Sequence, residues 1–297
     1  LGRGAMGQVV HVTDGENNYA MKILDLQGSS DDEQVKWFIR EAELLRSLDH
    51  PGIPKAKEWF YDSTRGYCMI MEFIDGETLE AIRLRRKVSE REVAEWAQQV
   101  LSILEYLHEV AGVAHRDLKP SNIMLDARGK IWLIDLGVAN KLGTGNGTAI
   151  GSLGYFAPEQ VYGTYNTKTD LFALGMIMRT LLTGQEPKEF PMKPFDGTKN
   201  EKLCEVVTKA TQFDADFRYA SAREMRKALG NSFKVSKRPM SSIHTGHKHN
   251  GGDVAAFNLF YVIFFHLIFV GVIFLISFVF SFPISHVFLF TFAFIFL

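Results

Sequence analysis

The sequence predicts an α+β chain in two lobes, a small strand-rich one and a larger helical one, followed by an apolar membrane helix. Three observations predict it. Strand formers and turn residues dominate up to residue 74. Apolar residues recur at three- and four-residue steps after Gly76. The last stretch, 254–297, carries no Lys, Arg, Asp or Glu and holds 14 of the 24 Phe.

The first element is a strand, then a glycine turn and two further strands. Val9–Val12 and Tyr19–Leu24 are rich in strand formers, and Asp14-Gly15 between them is a turn signal. Residues 32–48 read as a helix, with Val35, Phe38, Ile39, Ala42, Leu45 and Leu48 on one face and Pro51 as its stop. Tyr67 to Ile74 is another apolar strand. Ser89 and Glu92 form a capping box that opens a helix carrying Val93, Trp96, Ala97, Val100, Leu104 and Leu107 on one face. Further helices are predicted over 168–183, 201–211 and 221–229. The boundaries follow: 1–74 for the small lobe, 75–230 for the large lobe, 231–253 for a basic linker and 254–297 for the tail. A cleft between the lobes is the expected place for chemistry.

Composition narrows the function classes. Lys+Arg is 33 and Asp+Glu 34, a net charge of −1, which removes the electrostatic case for a nucleic-acid partner. Two cysteines cannot build a disulfide scaffold or a four-thiolate zinc site, and a reduced, cytosol-facing body is the simplest reading. The chain starts inside a motif, at Leu1-Gly2 and without Met, and is expected to be a fragment. Residues 254–280 are apolar throughout, and ~20 helical residues span ~30 Å of hydrocarbon, so one crossing fits. Lys234, Lys237, Arg238 and Lys248 precede the tail, which predicts a cytoplasmic body by the positive-inside rule. The rival reading of so Phe-rich an end is an out-of-frame or misassembled segment.

Several motifs carry chemistry. Gly2-Arg3-Gly4-Ala5-Met6-Gly7 is a G-x-G-x-x-G run, weak alone because dinucleotide sites share it. Lys22 follows on a strand. Taken alone it is a solvated strand lysine; behind a glycine flap it suits a polyphosphate. Glu41, on the first helix, could aim it, whereas Glu43 points to another face. His115-Arg116-Asp117-Leu118-Lys119-Pro120-Ser121-Asn122 can set a base, a cation and a metal-binding amide on one loop. Asp135 ends the apolar strand Ile131–Ile134, well placed to hold Mg²⁺.

In this order, with Gly151-Ser152-Leu153-Gly154-Tyr155-Phe156-Ala157-Pro158-Glu159-Gln160 downstream, the residues resemble the protein kinase family. The resemblance covers about 1–230, and the wording is most similar to the eukaryotic-like Ser/Thr kinases of bacteria. It implies a two-lobed kinase fold and transfer of the γ-phosphoryl of Mg·ATP to Ser or Thr hydroxyls of proteins, with Mn²⁺ as the alternative ion. Gly2, Gly4 and Gly7 would cover the phosphates. Lys22, oriented by Glu41, would hold the α/β oxygens. Asp117 would be the catalytic base, Lys119 would stabilise the transferred group, and Asn122 and Asp135 would hold the metal. Leu1, Val9, Ala20 and Met124 resemble the adenine slot, Met71 the residue at its back, and Glu72 to Ile74 the backbone that bonds adenine. Arg116 resembles the arginine that grips a phosphate on the following segment, which makes Thr148, then Thr144, the expected autophosphorylation sites. Ser152 is expected to bond near Asp117 and Lys119. Glu159 with Arg218, and Asp170 with the catalytic loop, are expected braces. Leu136 stands where the family usually has Phe. A homodimer is compatible with this reading. The rivals are a membrane-anchored pseudokinase that scaffolds partner proteins and a small-molecule phosphotransferase.

Overall fold

Short antiparallel strands at the start of the chain build a sheet, and the described residues from 76 to 230 build a body that is mostly helical. The structure, a computed structural model, describes residues 2–4, 7–24, 32–136, 139–142, 151–187 and 194–230, with backbone alone for 2–4 and 32. Strands β1 (Gly2–Gly4), β2 (Gly7–Thr13), β3 (Asn18–Leu24), β4 (Ala56–Asp62) and β5 (Gly66–Glu72) form one antiparallel sheet in the order β1-β2-β3-β5-β4. The β2–β3 turn is held by Asp14, whose Oδ1 accepts from the N–H groups of Glu16 and Asn17, at 3.0 and 2.7 Å. Helix α1 (Asp32–Ser47) packs its Phe38, Ala42 and Leu45 face into the core and lies against β4.

The second lobe begins with β6 (Gly76–Thr78) and α2 (Leu79–Arg85), whose first turn is capped by the Thr78 hydroxyl. Helix α3 (Glu90–Glu109) opens with the Ser89–Glu92 capping box and buries the apolar face listed by its periodicity. Then come β7 (Val113–Ala114), β8 (Ile123–Asp126), β9 (Ile131–Leu133) and β10 (Asn140–Lys141), which pair as β6-β8-β9 and β10-β7. Helices α4 (Thr167–Thr183), α5 (Glu201–Ala210) and α6 (Ala222–Gly230) complete the body. Every residue of α4 from Thr169 to Met178 is buried, as expected of a helix that is apolar all round.

The predicted helices recur with ends shifted by about a residue, ordinary for helix termini. Short strands β6, β7, β8 and β10 and helix α2 were not anticipated, and two differences touch the first sheet. Strand β4 was not anticipated from the sequence, and the strand expected to reach Ile74 ends at Glu72, so Phe73 and Ile74 belong to the connection between the lobes. Among the described residues no helix is long and apolar enough to cross a membrane. The linker 231–253 and the apolar stretch 254–297 lie outside the described residues.

Candidate active site

Strand alternation sets the roof of the cleft. Val9 is the cross-strand partner of Lys22, Ala20 of Met71 and Lys22 of Met69, so these side chains share one face of the sheet. Ala20, Met71 and Ile74 are buried, Val9 and Met124 half-buried, and the Glu72 side chain is exposed. Met124 lies on β8, opposite Thr78 and Trp132. Gly7 begins β2 with φ 139°, a backbone conformation that suits glycine, and pairs with Gly4; Gly2 pairs with Val9. Leu1 lies outside the described residues.

Lys22 Nζ donates to both carboxylate oxygens of Glu41, at 2.9 and 2.6 Å, and to Asp135 Oδ1 at 3.4 Å. The ammonium thus joins β3, α1 and the segment after β9, with Lys22 at 8% and Glu41 at 3% exposure. Burial pushes the Glu41 carboxyl up to about 7, against the pull of Lys22, and Asp135 pushes it the same way. Burial works against the Lys22 ammonium too, but the two carboxylates outweigh it and raise its pKa. Glu43 takes no part in this cluster; its Oε1 accepts from the Trp59 indole at 2.8 Å.

The floor of the cleft is the loop between β7 and β8. Lys119 Nζ bonds Asp117 Oδ2 and Ser152 Oγ, both at 2.8 Å. Asp117 Oδ1 is buried and has no hydrogen-bond partner among the described residues. The Asn122 amide donates to the Asp117 carbonyl at 3.0 Å, which turns its side-chain oxygen away from that bond. That oxygen and the partly exposed Asp135 carboxylate are hard donors of the kind Mg²⁺ takes, so the residues present fit the ion.

Asp170 shapes this loop from below. It is fully buried in the first turn of α4, and it accepts from the His115 N–H at 2.8 Å, the Arg116 N–H at 2.9 Å and pairs with His108 Nε2 at 2.8 Å. Burial raises the Asp170 pKa, but these bonds outweigh it and hold the carboxyl below its ordinary range. Between its pinned N–H and its carbonyl, Arg116 adopts φ 72°, the left-handed region a non-glycine residue enters only when its surroundings fix it. Gln160 Nε2 holds the Arg116 carbonyl at 2.8 Å, and the Arg116 guanidinium stacks over the Tyr165 ring at 4.3 Å.

Glu159 and Arg218 form a two-pronged pair at 2.8 and 2.9 Å. The remaining Arg218 donors reach the carbonyls of Gln212, Lys168 and Phe213, and Phe172 lies under the guanidinium. Thr144 and Thr148 lie outside the described residues. Leu136, next to Asp135 in the chain, is buried in the core.

Sequence reasoning passed over two residues of this constellation. Gln160 was visible as the last letter of its motif but received no role. His108 carried a usable signal: it lies four residues after Leu104, a polar group on an apolar helical face.

The description "Protein kinase domain" belongs to the family model that matches residues 1–249. A probable serine/threonine-protein kinase of Streptomyces coelicolor is 33% identical over 259 residues, covering 76% of this chain and 38% of that protein. The probable serine/threonine-protein kinase PknB of Lactococcus lactis is 30% identical over 284 residues, covering 87% of this chain and 45% of that protein. Serine/threonine-protein kinase PrkC of Bacillus subtilis is 30% identical over 261 residues, covering 80% and 40%. The chain therefore spans less than half the length of these relatives.

Proposed function

The chain belongs to the protein kinase family, and from that premise we propose that it transfers the γ-phosphoryl of ATP to Ser and Thr hydroxyls of proteins. The observation that carries this reading is the Lys22–Glu41–Asp135 cluster, which joins both lobes at 3.4 Å or less over the floor that holds Asp117.

Phosphoryl transfer asks a protein for positioning and charge neutralisation. In the proposed mechanism Lys22 binds the α/β-phosphate oxygens, and Glu41 fixes where its ammonium sits. Adenine lies between Val9 and Ala20 above and Met124 below, with Met71 behind. The substrate hydroxyl oxygen bonds to the γ-phosphorus as the bond to the ADP oxygen breaks. Asp117 Oδ1, free of other partners, receives the hydroxyl proton. Lys119 holds Oδ2 away from that task and neutralises charge on the transferred group. Mg²⁺, held by Asn122 and Asp135, supplies further neutralisation of the phosphate oxygens when bound.

The decisive experiment records intact mass before and after Mg·ATP, beside Asp117→Asn. Added phosphate in the parent and none in the variant is the expected result. ATP raising the melting temperature with no phosphate added to any protein would favour a scaffold instead. Regulation follows the same chemistry: Thr148, then Thr144, would be autophosphorylated, and Arg116 would bind the phosphate. Unchanged activity in the Thr148→Ala, Thr144→Ala double variant would exclude that. We also propose that 254–297 anchors the chain, with the kinase on the cytoplasmic side.

A further inference from the structure

Glu41 reaches Lys22 only if α1 keeps one rotation about its axis. Successive helical residues are 100° apart, so a turn of one position carries a carboxylate from the cleft to the side of the helix. The apolar face of α1, with Phe38, Ala42 and Leu45 in the core, fixes that rotation coarsely. The Glu41–Lys22 pair is not a self-sufficient clamp, since burying its carboxylate works against it. Directional contacts on other sides of α1 set the rotation finely.

Two are present. Arg40 bonds the side chain of Asn140, on β10. Glu43, two positions beyond Glu41 and on another side of the helix, accepts the Trp59 indole N–H at 2.8 Å. Trp59 stands on β4, a strand of the same sheet as Lys22, so it ties α1 to the sheet itself. An indole nitrogen only donates, and Glu43 only accepts, so the pairing has one sense and one direction.

We infer that Trp59 and Glu43 are positioning residues, which fix the rotation of α1 through one indole–carboxylate hydrogen bond and so present Glu41 to Lys22. This inference rests on the kinase reading for its catalytic consequence, but the linkage between the two contacts stands apart from any reaction. If the Trp59 bond favours the Lys22–Glu41 contact, the Lys22–Glu41 contact must favour the Trp59 bond equally, because linkage is reciprocal.

The test uses the full chain. Trp59→Phe keeps an aromatic ring and deletes the donor, and Glu43→Ala deletes the acceptor. Each is expected to lower kcat about three- to tenfold, the range of one ordinary hydrogen bond, with the KM for protein substrate unchanged. The double variant should fall no further than either single one. Glu43→Gln keeps an acceptor oxygen and should retain most of the activity. Independently of catalysis, the chain is labelled with 5-fluorotryptophan, and the Trp59 resonance is assigned among four tryptophans by its loss in Trp59→Phe. That resonance should move in Glu43→Ala and also in Lys22→Met.

Parental kcat in Trp59→Phe, or a Trp59 resonance unmoved by Lys22→Met, overturns the inference. So does a lowered melting temperature at unchanged kcat, which would make the contact a plain brace. Should the parent add no phosphate at all, the kinase reading falls, and the fluorine arm still decides whether the two contacts are linked.

Discussion

Arg218 puts all five of its N–H donors into bonds, two of them on Glu159, at 3% exposure. Arg218→Met would leave the Glu159 carboxylate with the Thr169 hydroxyl alone. Breaking a buried pair from one side costs about 3–5 kcal/mol, so the urea midpoint should drop by a corresponding amount. Asp117→Asn should behave in the opposite way. Its Oδ1 has no partner among the described residues, and the amide oxygen can still accept from Lys119, so phosphoryl transfer should vanish while the melting temperature falls far less than in Arg218→Met. At this scale the sequence was informative about identity and less so about support. The spacing of Asp117, Lys119 and Asn122 already places three groups on one loop. The acid that shapes the loop, Asp170, lies on a distant helix, and only the family resemblance pointed to it. The Trp59–Glu43 bond was invisible, because it joins a helix to a strand the sequence did not reveal.

Elements show why that strand was missed. Ala56–Asp62 has no two-residue alternation of burial, and a bulge shifts its register between Ala56 and Glu58. A pattern search needs the regular period that the bulge removes. Strands β6, β7 and β10 are two or three residues long, too short to leave any period. The helices were legible because their apolar faces repeat over several turns and because α3 carries a readable cap. That cap makes a prediction. Bonding to Arg86 first, and then to Ser89, holds the Glu92 carboxyl down to about 2. A lowered carboxylate contributes stability above its ordinary value near 4.5 and loses it as the pH falls towards 2. Glu92→Gln should therefore flatten the stability profile across that window, read by denaturant titration at successive pH values. A second prediction concerns the crossing of α4 and α5. A Cβ at Gly175 would stand 2.7 Å from Thr211 Cγ2 and 2.9 Å from Ala210 Cβ. Alanine gains about 1 kcal/mol of helix propensity over glycine, while overpacking costs about 1–3 kcal/mol. The clash should win, and Gly175→Ala should be less stable by about 1 kcal/mol in the same titration.

For the whole molecule, the two lobes are fastened by the connection that leads from α1 to β4. The Leu133 N–H donates to Gly52 O at 2.8 Å, and the Tyr106 hydroxyl accepts from the Asp49 N–H at 2.7 Å. A segment that precedes β4 in sequence is thus bonded to β9 and α3. Among the described residues, the Leu133 amide should exchange with solvent as slowly as those of α4. The end of the chain carries a separate expectation. If 254–297 is a membrane anchor, the full chain should stay with vesicles under alkaline carbonate while residues 1–253 are released. Release of both would remove the anchor without touching the kinase reading. The two-lobed architecture was legible from where strand pattern gave way to helix pattern. What the sequence could not reveal was the bond between Leu133 and Gly52, which joins two backbone groups and has no side-chain signature.

The bonds of Asp170 also bear on how the protein is born. Synthesis runs from the N-terminus, and domains take shape as their parts emerge. A nascent chain that stops short of Asp170 already contains Lys22, Asp117, Lys119 and Asn122. It lacks the carboxylate that holds the His115 and Arg116 amides and keeps Arg116 in its left-handed conformation. The ribosome therefore delivers these side chains before the carboxylate that shapes their loop, and the loop takes its form only once Asp170 has emerged.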